Sequence, residues 1–273
     1  MSRPALTVLM YHALLENPVA GVGAVHIEVG LFARHMAWLH ARGYQVLTVP
    51  ALYQRLRAGQ PLAGCVVLTF DDGYLSLLRH AAPILARYGF APTLFVTTGF
   101  VGQPDYRTAD FARSAPPADR PLNWPEIREL HRAGWDIQAH SSTHRPHAAL
   151  PPAHLHAEMA DSKRLLAEQL GIDAQFYAFP YGSYDRHALR ALAAHGYAAG
   201  FSVHSGPVTP ASDLRRLLRV EINTGCDPAV FARLVQTGYA SRAAGYRAHL
   251  RDAMFHFPAL KDALQAVFSN AIN

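Results

Sequence analysis

The sequence predicts an α/β fold, a barrel of about seven parallel β-strands, and three observations support this. Short apolar runs alternate with amphipathic stretches of helical length along most of the 273 residues. Strands separated by helices of this length indicate parallel βαβ units. The length suits one large domain with a sizeable core. Finally, 50% of the residues are hydrophobic and 16% are charged, which indicates a folded globule and not a disordered chain.

The predicted strands are short runs rich in apolar and β-branched residues, bounded by turn or helix signals. They are LTVLMYH (6–12), QVLTV (45–49), CVVLTF (65–70), APTLFVTT (91–98), WDIQAH (135–140), QFYAFP (175–180), AAGFSV (198–203) and RLLRVEI (216–222). The predicted helices span 31–42, 50–59, 75–88, 124–134, 152–170, 186–195 and 228–236. Pro50 and Gly59, for example, are typical helix start and stop residues. About seven such repeats favour a TIM-like barrel, which carries its chemistry at the C-terminal ends of the strands.

Two segments interrupt this alternation. Residues 99–122 are rich in Pro, Asp, Ala and Arg, which predicts a long loop of the kind that shapes a substrate groove. From Tyr239 onward the chain reads as one or two amphipathic helices. We therefore predict a barrel at 1–238 and a C-terminal helical extension at 239–273 that docks on it. A tail that binds a partner protein is the alternative for the extension.

Composition excludes several classes of protein. The formal charge is +5, but only two of the 25 basic residues are lysine and they form no run with arginine, so no nucleic-acid partner is expected. No apolar stretch reaches the length of a transmembrane segment. The apolar run at 5–10 is too short for a signal peptide, which predicts a cytoplasmic protein. Cys65 and Cys226 cannot form a disulfide framework and are expected to be free and buried.

Two adjacent carboxylates, Asp71 and Asp72, end the apolar run VVLTFDDGY (66–74). Like charges held close together raise the cost of ionising one another, so the pair needs a cation, a proton or full solvation. A turn closed by an Asx hydrogen bond is one explanation. A divalent metal is another, because one carboxylate would bind it and its charge would keep the neighbour ionised.

Three further strand ends carry polar or turn-forming residues. In AHSSTH (139–144), His140 and His144 are four residues apart, a spacing that puts both imidazoles on one side of a helical turn, as two ligands of one metal require. The turn AFPYGSY (178–184) is suited to presenting the N–H of Tyr181 outward, and His12 ends LTVLMYH. Each also reads as an ordinary turn or polar residue when taken alone. A parallel barrel would bring all of them to one rim, and one Asp with two His leaves coordination open, as in hydrolytic zinc sites.

Taken in order, LTFDDGY (68–74), HSSTH (140–144) and YAFPYGSY (177–184) resemble the successive motifs of the polysaccharide deacetylase family. This is the NodB-homology group, also called carbohydrate esterase family four. The resemblance runs over about 7–236, most of the chain, and implies a distorted (β/α) barrel with a divalent metal, zinc in the first place and cobalt or nickel otherwise.

The resemblance also implies roles for individual residues. Asp71 would be the general base. Asp72, His140 and His144 would bind the metal, and the backbone N–H of Tyr181 would stabilise the oxyanion.

The sequence departs from the family pattern in two places. Many members carry an arginine in the third motif that contacts the base, and YAFPYGSY has none; the family's late strand-end histidine also has no clear counterpart. The early MYH instead resembles the branch that contains poly-β-1,6-N-acetylglucosamine deacetylases, in which the acid histidine comes early. That implies His12 as the general acid, with His256 as the competitor.

The activity implied is removal of N-acetyl groups from N-acetylated amino sugars in a polysaccharide, an oligosaccharide or a carrier-linked glycan, with release of acetate. A cytoplasmic location would favour a nucleotide- or lipid-linked amino sugar. The alternatives are a related amide hydrolase, either a deformylase or a ring-opening amidase, and a non-catalytic carbohydrate-binding barrel. Tyr74, Trp124 and Tyr184 lie near the motifs and either stack on sugar rings or belong to the core.

Overall fold

The structure is a computed structural model that describes residues 5–17, 22, 25–241 and 243–246. The strands are β1 (Thr7–Tyr11), β2 (Leu14–Leu15), β3 (Ile27–Glu28), β4 (Gln45–Leu47), β5 (Cys65–Asp72), β6 (Thr93–Val96), β7 (Asp136–Ala139), β8 (Phe176–Ala178), β9 (Ala199–Phe201) and β10 (Val220–Glu221). The helices are α1 (Val29–Ala41), α2 (Val49–Arg57), α3 (Ala82–Ala86), α4 (Trp124–Arg132), α5 (Pro152–Leu170), α6 (Arg186–Ala194) and α7 (Pro228–Thr237).

One parallel sheet organises the fold. Seven strands follow each other in the order β10-β1-β5-β6-β7-β8-β9, and β4 also pairs with β5. The central strand β5 pairs with β1 along one edge, while β4 and then β6 occupy its other edge. Leu217 bridges to Phe201 of β9 just before the chain enters β10, which pairs with β1. This short segment joins the two ends of the sheet, which confirms the predicted distorted barrel of about seven parallel strands.

The two faces of β5 pack against different parts of the core. Val66, Leu68 and Phe70 belong to the larger cluster, which the strands form with the surrounding helices. Val67 belongs to a second, smaller cluster on the opposite face of the sheet. Because side chains alternate along a strand, Asp71 continues the face of Val67. Alternation along the strand therefore places Asp71, the first of the two carboxylates, on the side of the sheet that faces the barrel interior.

The regular elements differ from the predicted ones mainly near prolines and turns. The predicted helix 75–88 is a π-helical turn at Leu77–Ala81 followed by the short α3. Pro83 has no N–H, so the regular bond to the carbonyl of Arg79 cannot form. The predicted strand 216–222 shrinks to β10 because Leu214–Arg216 form a 3₁₀ turn capped by the Asp213 carboxylate. The short pair β2 and β3 was not predicted.

The segment 99–122 is a long loop made mostly of turns, as predicted. Both cysteines are free and buried, also as predicted. Within the described residues, no helix is long and apolar enough to cross a membrane. Residues 247–273, with most of the predicted C-terminal extension and His256, lie outside the described part of the chain, so the division at 238 stays a prediction.

Candidate active site

Asp71 and Asp72 end β5, and both are buried. Asp71 is in extended backbone, whereas Asp72 has a φ of 70°. Gly73 follows with a φ of 95°, and its N–H donates to the Asp71 carbonyl at 2.9 Å, which turns the chain sharply. The left-handed conformation moves Asp72 off the regular strand alternation. The two neighbouring carboxylates can therefore approach the same histidine.

Asp71 is paired with Arg219, a residue that immediately precedes β10. The guanidinium donates to Asp71 Oδ1 at 2.6 Å and to Oδ2 at 2.7 Å, and Arg219 is 0% exposed. Its Nε donates to the Ser202 carbonyl at 3.0 Å. Burial by itself would raise the pKa of Asp71, but the adjacent Arg219 charge outweighs it and lowers the pKa to about 2. Asp71 is thus held ionised and in one orientation.

This contact supplies what the third motif lacks. The motif around Tyr181 contains no arginine that could contact the base. The barrel instead brings Arg219 to Asp71, although the two residues are 148 positions apart in the sequence. The available signal was Arg219, a charged residue inside the otherwise apolar run LLRV (217–220). A fully buried arginine requires a partner of opposite charge, and the carboxylates at the end of β5 can provide it.

Asp72 is the carboxylate that lacks a fixed partner. Its Oδ1 is buried and accepts no hydrogen bond from the described residues, while Nε2 of His144 lies at 3.4 Å and Nε2 of His140 at 3.7 Å. The Tyr74 side chain lies close to the Asp72 carboxyl. Burial raises the pKa of Asp72 to about 6 in the absence of any cation. A buried oxygen without a donor is costly unless a cation completes the site.

His140 follows β7 and is oriented by the neighbouring strand. Its Nδ1 lies 2.8 Å from the Ala178 carbonyl, an acceptor that fixes Nδ1 as the protonated nitrogen. Nε2 therefore presents its lone pair toward Asp71 and Asp72, at 3.6 and 3.7 Å. Burial lowers the pKa of His140 to about 3, so the ring is the neutral imidazole that a metal requires.

His144 lies four residues further on, in a loop. The prediction that a helical turn joins the two histidines is wrong: Ser141 and His144 both have positive φ, 67° and 62°. The Ser141 hydroxyl accepts the His144 N–H at 2.9 Å, which closes the loop locally. The two rings nevertheless meet edge to face with centroids 4.9 Å apart. The two histidines therefore lie close together, as the sequence predicts, but a loop and not a helical turn brings them there.

Glu158 of α5 holds this loop in place. Its carboxylate accepts the N–H of Ser142 at 2.9 Å and of Thr143 at 2.7 Å, and it also accepts the Thr143 hydroxyl. These are charge-assisted bonds inside the protein, the stronger class of hydrogen bond. No motif in the sequence marked Glu158, because a glutamate in an amphipathic helix ordinarily faces water.

Asp72, His140 and His144 form a cluster that fits a metal ion. One donor atom from each lies within 4.8 Å of the others. In a tetrahedral zinc site with bonds of about 2.0–2.1 Å, ligand atoms lie about 3.4 Å apart. The carboxylate-to-imidazole distances of 3.4 and 3.7 Å match that spacing, and the buried, partnerless Asp72 Oδ1 supplies the negative charge.

Tyr181 lies beside this cluster in a strained turn. Its φ is 55°, the residue is 47% exposed, and its ring meets His144 edge to face with centroids 4.7 Å apart. The next residue, Gly182, has a φ of 60°, and a Cβ there would lie 2.6 Å from the Val203 backbone nitrogen. Only glycine fits that position, so the tight turn that aims the Tyr181 backbone is built into the motif.

His12 follows β1 at the same rim. It lies close enough for the Asp71 charge to act on it, and its ring is 6.2 Å from that of His26. Its Nδ1 is buried without a hydrogen-bond partner among the described residues. Burial lowers the pKa of His12 to about 3, partly offset by Asp71, so the ring is neutral at neutral pH. As a general acid, His12 would have to gain its proton during the reaction.

The candidate sugar-stacking rings do not occupy exposed positions. Tyr74 is buried and lies close to Asp72, so it packs in the core beside the site and is not available to stack on a sugar. Trp124 and Tyr184 are half-buried and pack against the larger core cluster. Tyr181, which was considered only for its backbone, is the exposed aromatic ring beside the metal cluster.

Comparison with known proteins identifies the family of this chain. The model of the polysaccharide deacetylase family matches residues 58–200, more than half of the chain. The Bacillus subtilis protein YxkH is 27% identical over 237 residues, covering 86% of this chain and 78% of its own. The Escherichia coli K12 poly-β-1,6-N-acetyl-D-glucosamine N-deacetylase is 25% identical over 254 residues, covering 82% of this chain but 37% of its own. This chain therefore spans little more than a third of that enzyme.

A solved structure gives the same result for the fold. The Streptococcus pyogenes deacetylase PplD, determined in complex with acetate, superimposes with a TM-score of 0.75 at 25% identity. The match covers 86% of this chain and 99% of that one. These comparisons confirm the family that the three motifs indicate and the class of enzyme that goes with it, a carbohydrate de-N-acetylase.

Proposed function

This chain belongs to the polysaccharide deacetylase family, and we propose that it hydrolyses the N-acetyl group of β-linked N-acetylglucosamine in a glycan. The products are acetate and a free amino sugar. The observation that carries the proposal is that two carboxylates with different surroundings lie side by side at the C-terminal end of β5. Asp71 is held ionised by Arg219, while Asp72 joins His140 and His144 in a cluster with one unpartnered oxygen.

We assign the cluster to zinc, with cobalt or nickel as substitutes, held by Asp72 Oδ1 and by Nε2 of both histidines. A bound divalent cation would polarise the acetyl carbonyl and lower the pKa of the attacking water. The protein's contribution is to present two oriented imidazoles and a single carboxylate. The Ala178 carbonyl supports this by fixing the tautomer of His140 at 2.8 Å.

Asp71 is proposed as the general base. Its carboxylate lies 3.6 Å from His140 Nε2, beside the proposed metal position, and so within reach of a water there. A base with a pKa near 2 is weak, but it is ionised at every working pH, and two hydrogen bonds fix its orientation. A fall in the pKa of the attacking water would make proton transfer to Asp71 less unfavourable.

Tyr181 and His12 are proposed to act on the two ends of the scissile amide. The Tyr181 N–H would stabilise the negative charge that develops on the carbonyl oxygen. An amine cannot leave as an anion, so a proton donor is required, and His12 is the histidine at this rim that lies outside the ligand set and within range of the Asp71 charge.

The substrate class rests on the relatives. The Escherichia coli protein is named for poly-β-1,6-N-acetyl-D-glucosamine, and the PplD structure holds acetate, the product expected here. A non-catalytic binding barrel is disfavoured because base and ligands are all present. A deformylase or ring-opening amidase would use the same site, so the released acid distinguishes them.

The test is to incubate the zinc-loaded protein with β-1,6-linked N-acetylglucosamine oligomers and measure acetate, formate and new amine. Acetate and amine released in equal amounts, and lost in Asp71→Asn, support the proposal. Formate release from formylated sugars without acetate release from acetylated ones would assign the deformylase activity instead. Oligomer binding without any hydrolysis would assign the binding barrel.

A further inference from the structure

We propose that Asp110, in the loop 99–122, is a positioning residue that fixes the His144 imidazole and ties it to the turn carrying Tyr181. The inference rests on the proposed metal site. The sequence of this loop predicts only that it shapes a substrate groove. In the structure, the Asp110 carboxylate lies between His144, a proposed metal ligand, and Tyr181, the proposed oxyanion donor.

The first contact is with His144. Asp110 Oδ1 lies 3.3 Å from His144 Nδ1, while Nε2 on the other side of the ring lies 3.4 Å from Asp72 Oδ1. A carboxylate can only accept a hydrogen bond, so it selects the tautomer protonated at Nδ1. That tautomer leaves the Nε2 lone pair directed at Asp72, as a metal ligand requires. The carbonyl of Ala178 does the same for His140, so each ligand histidine has its own acceptor.

The second contact is with Tyr181. The Tyr181 hydroxyl interacts with the same Asp110 carboxylate. The Tyr181 ring also leans on His144 at 4.7 Å and 73°. Because the Tyr181 backbone has a positive φ, this turn needs support from its surroundings. The hydroxyl of Tyr181 provides a link from the turn to the loop.

The third contact is between the loop and the histidine ring itself. Phe111, the residue after Asp110, meets His144 edge to face with centroids 4.6 Å apart. Phe111 in turn contacts Tyr106, which is buried against Tyr74 at 4.7 Å, and Tyr74 reaches Asp72. The loop thus approaches the metal cluster on two sides. Tyr106 approaches Asp72 through Tyr74, and Asp110 contacts His144 directly.

The experiment measures zinc affinity by competition with a chromophoric chelator in Asp110→Ala and Asp110→Asn. Asp105→Ala is the matched control. Asp105 lies in the same loop with a side chain 31% exposed, against 35% for Asp110, but its ion pair is with Arg107 at 2.6 Å. Loss of an outer partner of a ligand histidine weakens metal binding by about 10–100-fold. We expect that loss for Asp110→Ala, about 5–10-fold for Asp110→Asn, and the wild-type value for Asp105→Ala.

Tyr181→Phe separates the contact of Asp110 with Tyr181 from its contact with His144. It removes the hydroxyl and keeps the ring on His144, so zinc affinity should stay within about threefold of wild type while kcat for acetate release falls. Adding Tyr181→Phe to Asp110→Ala should then cost kcat little more, because both changes break the same link.

Zinc affinity in Asp110→Ala equal to that of wild type would overturn the proposal. If that variant does not fold, unchanged zinc affinity in Asp110→Leu, which has no hydrogen-bond acceptor, overturns it equally. Neither measurement requires turnover. A protein that binds zinc in an Asp110-dependent manner but releases no acetate would therefore refute the proposed substrate and leave this inference standing.

Discussion

Arg219 donates two parallel hydrogen bonds to Asp71, 2.6 and 2.7 Å long, and buries a complete ion pair inside the barrel. This contact explains how two carboxylates can stand side by side at the end of β5. The pKa of Asp71 falls to about 2 beside the guanidinium, whereas burial raises that of Asp72 to about 6 until a cation completes its surroundings. Arg219 is the countercharge of Asp71 and a metal cation would be that of Asp72, so we expect the two carboxylates to take separate roles.

Replacing Arg219 should change both the pH profile and the stability. In Arg219→Met, burial of Asp71 persists while the countercharge is lost, so the pKa of Asp71 rises. A base with a higher pKa is protonated at higher pH, so the acid limb of kcat/KM should move up by at least about one unit. Leaving a buried carboxylate unpaired should also cost about 3–5 kcal/mol of unfolding free energy.

The control for this change is Arg215→Met. Arg215 is exposed and pairs with Asp213, so its loss should leave both the pH profile and the stability unchanged. An unshifted acid limb in a folded Arg219→Met protein would show that Arg219 does not set the protonation of the catalytic base.

Replacing Asp71 and replacing Asp72 should have different effects on turnover and on zinc affinity. Asp71→Asn removes the proposed base and leaves the proposed ligands, so turnover should fall by about 10²–10⁴-fold while zinc still binds. Asp72→Ala removes a ligand, so zinc affinity should fall along with turnover. Calorimetric zinc titration of both variants decides the matter. Loss of zinc binding in Asp71→Asn with retention in Asp72→Ala would exchange the two roles.

Removal of the metal should abolish hydrolysis and lower the melting temperature. Without a cation, Asp72 Oδ1 is buried with no hydrogen-bond partner among the described residues, which is unfavourable. Zinc at 100 times its dissociation constant should add about 2.7 kcal/mol of stability. The measurements are melting scans and acetate release after chelation and after addition of zinc or cobalt. Full activity in protein shown by elemental analysis to be metal-free would refute metal dependence.

His12→Ala should lower amide turnover by about 10²–10⁴-fold if His12 protonates the departing amine. The loss should be much smaller on an aryl acetate, whose leaving group needs no proton. The comparison variant is His256→Ala, at a position outside the described residues. Near-normal amide turnover in His12→Ala, together with a large loss in His256→Ala, would move the acid to the later histidine.

His35 predicts a pH dependence of stability that is independent of the active site. Its Nε2 lies 2.8 Å from the Cys226 carbonyl, its ring stacks on Phe231 at 3.8 Å, and burial lowers its pKa to about 4. The unfolded chain, with a histidine pKa near 6.5, then binds a proton that the folded protein excludes. Stability is complete above pH 6.5 and should fall by about 2 kcal/mol from pH 7 to pH 5 through this residue.

The check is denaturant unfolding at both pH values for wild type and His35→Gln, whose amide can still donate to the Cys226 carbonyl. The variant should lose less stability on acidification than wild type by about that amount. Equal losses in the two proteins would mean that His35 is not the group responsible.

Much of the fold could be predicted from the sequence because its causes are local. The helix at 152–170 has the predicted bounds, and β5 has the predicted apolar run, since periodicity and turn residues act over a few neighbours. Where a local rule fails, the cause is also local. Pro83 interrupts the predicted helix 75–88, and positive φ at Ser141 and His144 replaces the expected helical turn.

The sequence by itself determined which residue types end the strands. Asp72, His140 and His144 could be expected at one rim because parallel strands all point their C-terminal ends the same way. Only the tertiary structure decided the partners that fix those side chains: Arg219 for Asp71, Asp110 for His144 and Glu158 for the loop between the histidines. Such partners come from segments far along the chain or from an irregular loop. Their approach is set by how the barrel closes and how the loop folds back over it, and no short-range pattern in the sequence records that.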